Sequence, residues 1–424
     1  MDPNVCTPNL DNFAASGVNF GRAVSGFPLC CPDRVALLTG RYPHKVVPGH
    51  EHRLPPEQPT IAHVFNDAGY HTAYFGKWHL DGFHERNGRG AMHIIPPERR
   101  GGFQEWIGYE NNNSQWDCWV HGGEGESAFH QRLPGFETDE LSNLLIHFLE
   151  KRDTAESQGK GQPFFAVLSV QPPHDPYIAP EAQRGRHVPE RIHLRPNVPS
   201  IPRIMDQAKR DLAGYYAMIE NLDYNVGRIL DALRKFGLLE NTHVMFFSDH
   251  GDMHGSHGQF RKTSPFEEAI RVPFIISGGH SFYDGRITGT TDIPINHVDV
   301  APTTLGLCAI DKPSWMEGTD YSGRRLRSRA SNSEEPDSAY LQCVVPTQHA
   351  HSIDRPWRGL VTRDGWKYVA FEGVPWLLFN LDEDPYEQVN MAHNSLYAGV
   401  RKKLNDRLRE WVNDTDDVFA LPEL

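Results

Sequence analysis

Two residues in the stretch "FFSDHG" have the chemistry of a metal site. Asp249 and His250 follow an apolar run and precede a glycine-rich loop. A carboxylate beside an imidazole is a ligand pair that divalent metals accept. The same pair also fits an aspartate that caps a turn next to exposed histidines, and on the residues alone the two interpretations carry equal weight. The nearby His254 and His257 are interpreted as loop residues.

Three further stretches contain basic residues that are candidates for the site. His174 lies between prolines in "QPPHDPY", and such rigid flanks would fix a side chain used as an acid or a base. Lys77 and His79 in "FGKWHL" are two residues apart, so on a strand they face the same way and would bind an anion together. Lys262 in "FRKTSP" is by itself an ordinary surface lysine. Each of the four also fits a solvated turn or strand end.

Two adjacent cysteines stand in "PLCCPDRVALLTGR". The chain has 6 cysteines in 424 residues, without the spacing of a disulfide framework or a zinc site. Cys30 and Cys31 each fit a small buried hydrophobic residue. They also fit a nucleophile, because a cation such as Arg34 lowers the pKa of a nearby thiol. The residues alone leave both interpretations open.

Apolar runs alternate with helical patterns along most of the chain. The runs "PFFAVLSVQPP" and "THVMFFSDHG" are typical of strands buried on both faces. Between them, apolar residues at three- and four-residue steps predict a helix from about 206 to 236. We therefore predict an α/β fold with a largely parallel central sheet flanked by helices. His174, Asp249 and His250 fall at the carboxyl ends of strands, where functional groups gather in such sheets.

The amino-acid composition of the chain changes after Gly323. The stretch "SGRRLRSRASNSEEPDS" is polar and linker-like, and four short strand patterns follow it, ahead of an amphipathic helix from about 395 to 412. We predict a large domain over residues 1–323. A C-terminal subdomain over residues 324–424 would consist of a small antiparallel sheet plus a helix.

Composition limits the partners of the protein. The net charge of −13 disfavours nucleic acid and anionic membranes. No apolar run approaches the length of a membrane span, and "MDPNVCTPNLDNF" lacks the basic start and apolar core of a signal peptide. The chain as given is therefore expected to be cytoplasmic.

Several motifs occur together in an order that one family shares. "CCPDRVALLTGR" resembles the sulfatase signature, Cys-x-Pro-x-Arg followed by Leu-Thr-Gly-Arg. "GYHTAYFGKWHL", "PPHDPY", "FFSDHG" and "WKYVAF" with "LFNLDEDPYEQVN" resemble later blocks of that family. The resemblance runs from about Thr7 to the C-terminus. It is to the type I sulfatases of the alkaline phosphatase superfamily, and it implies an alkaline phosphatase-like fold and hydrolysis of a sulfate ester.

The resemblance also gives the cysteine pair a role. In the family, a formylglycine-generating enzyme oxidises the signature cysteine to formylglycine, and one hydroxyl of its hydrate attacks sulfur while the second later expels sulfate. Only Cys30 fits the signature, because Pro32 and Arg34 stand two and four residues further on. Counting from Cys31 would require a proline where the chain has Asp33. Position 33 is more usually a small residue.

Further roles carry over by matching motif. The resemblance implies that Arg34 and Lys77 hold the hydrate and stabilise its ionised form. It implies that His79 takes a proton during sulfate release. His174 and Lys262 would bind the sulfate oxygens and protonate the leaving alcohol.

The resemblance also implies one divalent metal. Asp249 and His250 would hold it in contact with the group made from Cys30. Many sulfatases have asparagine in the position of His250 and bind calcium, so Ca²⁺ is expected, with Mn²⁺ as the alternative because an imidazole is a softer ligand. Phosphonate monoester hydrolases and choline sulfatases also have the Asp-His form. A phosphonate monoester or phosphodiester hydrolase is therefore an open alternative.

One feature of the family is not matched. Its first strand ends in two aspartates that complete the metal shell, and it lies upstream of the "TPNLD" block, which only six residues precede here. We expect this strand and half of the metal shell to be missing, and the catalytic domain to be N-terminally incomplete. The chain is then either a hydrolase whose native start lies upstream, with an export signal as one option, or a non-catalytic truncated relative. Retention of the eight matched residues favours the hydrolase.

The substrate is left open by the sequence. The loops over 101–134 and 181–203 carry tryptophan, histidine and arginine and are expected to shape the pocket. They suit a small-molecule or a sugar sulfate ester alike.

Overall fold

The structure is a computed structural model that describes residues 2–83, 90–157, 161–279, 286–329, 335–347 and 353–424. The α-helices of these residues are α1 (Pro8–Ala15), α2 (Cys30–Thr39), α3 (Pro43–Val46), α4 (Ile61–Asp67), α5 (Glu137–Ser157), α6 (Glu181–Arg184), α7 (Pro202–Lys235), α8 (Glu267–Ile270), α9 (Val300–Leu307) and α10 (Ala398–Asp414). The β-strands are β1 (Val18–Phe20), β2 (His71–Lys77), β3 (Glu105–Tyr109), β4 (Trp119–Gly122), β5 (Phe129–Arg132), β6 (Phe164–Ser169), β7 (His243–Phe247), β8 (Phe274–Gly278), β9 (Gly289–Thr291), β10 (Ser338–Cys343), β11 (Trp357–Thr362), β12 (Trp366–Phe371) and β13 (Val374–Asn380). None of these helices is long and apolar enough to cross a membrane.

One mixed sheet of five strands has the order β5–β4–β3–β2–β6. Strand β2 pairs in parallel with β3 and β6, whereas β4 pairs antiparallel with β3 and β5. The alternating side chains of β2 fill both faces of the sheet. Phe75 packs against α5 and α7 in one apolar cluster, and Tyr74 packs on the opposite side with α2 and α4.

A second mixed sheet of four strands has the order β7–β8–β1–β9. Strand β8 pairs antiparallel with β7 and β1, and β1 pairs in parallel with β9. The expected α/β fold is confirmed, and its strands divide into two mixed sheets where one largely parallel sheet was expected. The sheets are separate because, among the described residues, no strand pairs with the outer edge of β6 or of β7, and each of these strands ends its own sheet.

The burial of β6 and β7 differs from the expectation. Their apolar sequences predict strands buried on both faces, yet every residue of β6 and of β7 is partly exposed. Among the described residues each strand pairs on one side only, with β2 and β8 respectively. An apolar sequence therefore predicts these strands correctly but does not predict how completely their neighbours cover them.

The carboxyl ends of these two strands nevertheless meet at one side chain. Ser169 is the last residue of β6, and Asp249 lies two residues beyond β7. The guanidinium of Arg34, on α2, donates hydrogen bonds to Ser169 Oγ at 2.7 Å and to Asp249 Oδ2 at 3.4 Å. Strand ends from both sheets are thereby held around the start of α2.

The C-terminal strands form an antiparallel sheet in the order β10–β11–β12–β13. One face packs against α10 and the other against Phe27, Leu29 and Met253. The small antiparallel sheet plus helix is thus confirmed. The division at residues 323 and 324 stays a prediction, since the sheet shares an apolar core with the first unit, and part of the proposed linker (330–334) lies outside the described residues.

Candidate active site

Helix α2 places Cys30 at the centre of the site. The residue before it, Leu29, is extended, and Pro32 lies in the first turn, where its missing N–H costs no hydrogen bond. Gly40 ends the helix in the left-handed conformation with φ 62°. The unpaired N–H groups of a helix's first turn and its dipole favour negative charge, so this position suits an anionic nucleophile or ligand.

Three nitrogen atoms surround the thiol of Cys30. Its Sγ lies 3.2 Å from His250 Nε2, 3.4 Å from Lys262 Nζ and 3.9 Å from Lys77 Nζ. Burial raises the pKa of this thiol, but Lys262, Lys77 and His250 outweigh burial and hold the pKa well below its usual value. The site therefore stabilises an anion at the position of Cys30.

Arg34 and Lys77 are two cations that lie close to Cys30 and contact each other. Lys77 is the last residue of β2, and its backbone carbonyl accepts a hydrogen bond from Arg34 Nη1 at 2.9 Å. Both side chains are buried, and burial lowers the pKa of Lys77 in spite of the nearby Cys30. Two buried cations with few anionic partners leave net positive charge for a ligand.

His174 and Lys262 face each other across the site. Lys262 Nζ lies 3.0 Å from His174 Nε2. The other ring nitrogen, Nδ1, lies 2.8 Å from the carbonyl oxygen of Asp175 and therefore donates to it. Burial and the charge of Lys262 lower the pKa of His174 well below its usual value. The imidazole is thus neutral, and its Nε2 accepts the hydrogen bond from Lys262 Nζ.

Asp249 and His250 present ligand atoms toward Cys30. One oxygen, nitrogen or sulfur atom from each of these three residues lies within 4.8 Å of the other two. His250 Nδ1 donates to the carbonyl oxygen of Gly251 at 2.8 Å, and Nε2 faces Cys30. Burial lowers the pKa of His250, but Asp249 and Cys30 outweigh burial and raise it, so a bound cation would displace a proton from Nε2. Burial raises the pKa of Asp249, but His250 and Arg34 lower it to about 2, so the carboxylate is ionised.

His79 lies two residues beyond β2 with a left-handed backbone, φ 57°. Its side chain is 2% exposed, and neither ring nitrogen makes a hydrogen bond of normal geometry with the described residues. Burial lowers the pKa of His79 to about 4, and the charge of Lys77 adds to this effect. The imidazole is neutral at physiological pH and able to accept a proton.

Cys31 has the opposite acidity to its neighbour. Its Sγ accepts a hydrogen bond from the N–H of Glu51 at 3.2 Å. Burial, with the nearby Cys30 and Glu110, raises the pKa of Cys31 far above its usual value. Cys31 is therefore a thiol, and of the two cysteines only Cys30 has the surroundings of a nucleophile.

Sequence reasoning missed three residues that position the predicted ones. Ser169 Oγ accepts from Arg34 and donates to the carbonyl oxygen of Lys77. Gln115 Nε2 donates to the carbonyl oxygen of His174 at 2.8 Å. Each of these two residues had one weak signal in the sequence. Ser169 is a polar residue at the end of an apolar strand, and Gln115 lies in a loop that was expected to shape the pocket.

The third missed residue is His297, which explains the unusual Asp33. Both side chains are almost fully buried, and His297 Nδ1 lies 2.7 Å from Asp33 Oδ1. His297 Nε2 lies 2.8 Å from the carbonyl oxygen of Ser248, the residue before Asp249. Position 33 therefore braces the strand end that carries the acidic ligand.

The structure brings the seven other predicted site residues together around Cys30. By contrast, His254 packs against Tyr215 and His257 stacks on Phe266, in agreement with their interpretation as loop residues. The group of ligand atoms around Cys30 comprises, among the described residues, Asp249 and His250. A nucleophile position, three cations and a pair of potential metal ligands form a site that can bind and attack a tetrahedral oxyanion ester.

Comparisons with known proteins agree with this chemistry. Residues 2–310 match the model of the Sulfatase family, and residues 255–414 match that of the N-sulphoglucosamine sulphohydrolase C-terminal family. The chain therefore belongs to the sulfatase family, of alkaline phosphatase fold, and is an enzyme that hydrolyses sulfate esters.

Named relatives cover nearly the whole chain. An ulvan-active sulfatase of Formosa agariphila is 33% identical over 99% of this chain and 78% of its own length. A choline-sulfatase of Rhizobium meliloti is 28% identical over 91% of this chain and 78% of its own length. A solved structure connected with glycosaminoglycan metabolism in Bacteroides thetaiotaomicron is 26% identical, with a TM-score of 0.84, over 98% of this chain and 90% of that chain.

Proposed function

We propose that the protein cleaves a sulfate monoester with a nucleophile made from Cys30. The observation that carries the proposal is the convergence of His250, Lys262 and Lys77 on Cys30 Sγ, at 3.2, 3.4 and 3.9 Å. When Cys30 is oxidised to formylglycine, the hydrated aldehyde supplies the hydroxyl that attacks sulfur. The remaining residues bind the ester, stabilise negative charge and move protons.

Lys77, Lys262 and Arg34 supply the electrostatic part of catalysis. Lys77 and Arg34 are buried and fixed beside Cys30 before any ligand binds. Preorganised charges in a dry site stabilise a transition state without the cost of reorienting solvent, and one such donor contributes on the order of 10²-fold or more to kcat. These cations hold the attacking group as an anion and bind the sulfate oxygens.

Lys262 is the proposed proton donor to the leaving alcohol. His174 Nε2 accepts from Lys262 Nζ at 3.0 Å and so aims the ammonium into the site. Because Nδ1 of His174 donates to the carbonyl oxygen of Asp175, the ring cannot turn away without losing that bond. The pair binds a sulfate oxygen and passes the lysine proton to the alcohol as its bond to sulfur breaks.

His79 is the proposed base for release of sulfate. The pKa of His79 is about 4, so its ring is neutral at physiological pH. The ring lies beside the side chain of Cys30. A neutral imidazole accepts the proton of the second hydroxyl of the hydrate as sulfate leaves.

Asp249 and His250 fit one divalent cation. The ionised carboxylate of Asp249 and the Nε2 atom of His250 would be the donors, with the group made from Cys30 as the third ligand. A cation held there would neutralise charge at sulfur and lower the pKa of the attacking hydroxyl. We propose Ca²⁺ for this site, with Mn²⁺ as the alternative that the nitrogen ligand favours. Metal analysis of purified protein distinguishes them.

The test of the proposed function is conversion followed by assay. The full chain is produced with and without a formylglycine-generating enzyme, and both samples are assayed with p-nitrophenyl sulfate, sugar sulfates and choline sulfate. We expect hydrolysis only in the converted sample. Cys30→Ala should abolish it, whereas Cys31→Ala should retain it. Equal activity with and without conversion would contradict the proposal.

His250 also favours a second activity toward phosphoryl esters. Its imidazole gives the site the Asp-His form that phosphonate monoester hydrolases share with choline sulfatases. A phenyl phosphonate monoester assayed beside p-nitrophenyl sulfate compares the two activities. We expect the sulfate to have the higher kcat/KM, and a higher value for the phosphonate would make phosphonate hydrolysis the main activity.

A further inference from the structure

A second group of potential ligands lies on the other side of the cysteine pair. One ligand atom each from Cys31, His50 and His79 lies within 4.8 Å of the other two. Cys31 and His79 are buried, at 0% and 2% exposure, and His50 is partly buried. We call these three residues the Cys31 group. The Cys31 group shares no residue with the group of Cys30, Asp249 and His250.

His79 is the side chain in this group that most needs a partner. Both of its ring nitrogens are buried without a hydrogen bond of normal geometry among the described residues. The ring lies beside Cys30, yet buried ring nitrogens without a well-formed hydrogen bond are unusual in a folded protein. The proposed proton transfer uses one nitrogen and leaves the other to be explained.

His50 and Cys31 supply the complementary ligands. The rings of His50 and His79 stand edge to face, with centroids 5.4 Å apart at 88°. The carboxylate of Glu51 lies 3.7 Å from His50 Nε2 and adds negative charge at the edge of the group. One sulfur and two imidazole nitrogens are the ligands of soft and borderline cations, whereas Ca²⁺ and Mg²⁺ prefer oxygen.

We propose that Cys31, His50 and His79 form a second cation site that takes Zn²⁺ or a similarly soft divalent ion. In a tetrahedral zinc site, bond lengths of about 2.0–2.3 Å place the ligand atoms roughly 3.3–3.8 Å apart. The ligand atoms of the Cys31 group all lie within 4.8 Å of one another, so side-chain rotations of about 1 Å would bring them to this spacing. The thiol proton of Cys31 passes to solvent, and the fourth position is left to water.

Occupation of this site would inhibit hydrolysis. This consequence rests on the proposed function, since an ion bound to His79 removes the base for sulfate release. The enzyme would then need a hard cation at Asp249 and His250 but would be inhibited by a soft one at the Cys31 group.

The direct test uses Co²⁺ as a spectroscopic probe for Zn²⁺ in the full chain. The Cys30→Ala variant, stripped with a chelator, retains only the Cys31 thiol next to either group. We expect one equivalent of Co²⁺ to give a thiolate-to-cobalt charge-transfer band that Zn²⁺ abolishes. The band should disappear in Cys30→Ala/Cys31→Ala and persist in the matched control Cys30→Ala/Cys343→Ala, which removes a buried cysteine of the C-terminal sheet.

A second variant guards against misfolding. His50→Gln changes a partly buried residue and should weaken Co²⁺ binding by about tenfold or more, with the circular dichroism spectrum unchanged. A charge-transfer band that survives in Cys30→Ala/Cys31→Ala, or a Co²⁺ affinity that His50→Gln leaves unchanged in the Cys30→Ala background, would overturn the proposed site.

Inhibition is measured separately on converted enzyme. We expect Zn²⁺ to inhibit the parent protein. The Cys31→Ala variant, with unchanged basal activity, should need at least about tenfold more Zn²⁺ for the same inhibition. Spectroscopic binding without inhibition would uphold the cation site and count against the role of His79. Absence of the cobalt band would refute the site while leaving the sulfatase activity intact.

Discussion

Cys30 and Cys31 are adjacent and equally buried, yet their surroundings give them opposite acidity. Around Cys30, Lys262 and Lys77 hold the pKa of the thiol well below its usual value in spite of burial. Around Cys31, burial and the neighbouring Cys30 raise the pKa far above it. The difference shows that the charged partners, and not the degree of burial, decide which cysteine can act as a nucleophile.

The two cysteines also belong to different kinds of ligand group. Cys30 stands with Asp249 and His250, which combine a carboxylate with an imidazole. Cys31 stands with His50 and His79, which offer nitrogen and sulfur only. Neighbouring residues at the start of one helix thus point toward two sites with different metal preferences.

Replacing each cysteine in turn gives the largest expected contrast. Produced together with a formylglycine-generating enzyme, Cys30→Ala should have a kcat on the order of 10⁴-fold or more below that of the converted parent protein, since it lacks the nucleophile. Cys31→Ala should leave kcat within about twofold, because the Cys31 thiol stays un-ionised and accepts a hydrogen bond from the N–H of Glu51. Initial rates with p-nitrophenyl sulfate measure both. Equal losses in the two variants would remove the distinction between the cysteines.

Lys262 carries the next largest effect. Lys262→Ala should lower kcat by about 10²- to 10⁴-fold, because it removes the proposed proton donor at 3.4 Å from Cys30 Sγ. The loss should be smaller for substrates whose leaving alcohol is acidic and needs no proton. A series of aryl sulfates with different leaving groups measures this, and the same loss for every substrate would assign Lys262 to binding alone.

The acidity of the two thiols is testable in unconverted, metal-free protein. Cys30 should react with iodoacetamide at a rate that levels off well below pH 8.5, the ordinary thiol pKa, because a thiolate with a lowered pKa is already formed there. Cys31 should react only as the pH rises above that value, since its raised pKa keeps it a thiol. Peptide mass analysis at each pH separates the two rates.

Lys262→Met serves as the check on cause in that experiment. It should move the midpoint of the Cys30 profile to higher pH and leave that of Cys31 unchanged. A midpoint for Cys30 that does not respond to this substitution would show that the lysine is not what lowers its pKa.

Ser169→Ala is expected to have the smallest effect. It removes one of the hydrogen bonds that hold Arg34, while the bond to the carbonyl oxygen of Lys77 stays. A hydrogen bond to a charged group contributes about 1.5 kcal/mol or somewhat more, so kcat/KM should fall by roughly tenfold. Ser338→Ala, a buried serine of the C-terminal sheet, is the control and should change kcat/KM by less than about twofold.

The candidate site residues came from the order of motifs that the chain shares with the sulfatases, because local pattern alone left a structural interpretation open for each of them. Their roles stay predictions, and the residues that support them were not predicted. Asp33 and His297, by contrast, are far apart in the chain, and nothing local in either stretch indicates that they pair. His50 has no motif around it, so its place beside His79 emerges only from the packing of a loop.

The fold was predicted at the level of class and elements. The helix expected over 206–236 is present, and so are the strands that precede His174 and Asp249 in the chain. Strand pairing was less predictable, because it depends on contacts between distant segments. The apolar runs of β6 and β7 therefore identified two strands but not their positions at the ends of separate sheets.

The most direct test of the account is the chemical state of Cys30 in active protein. The full chain, produced with a formylglycine-generating enzyme, is digested, and the mass of the peptide that carries Cys30 and Cys31 is measured in fractions of different specific activity. We predict that the fraction of Cys30 converted from CH₂SH to CHO rises in proportion to sulfatase activity, while Cys31 stays an unmodified thiol. Full activity in fractions whose Cys30 is an unmodified thiol would contradict the account.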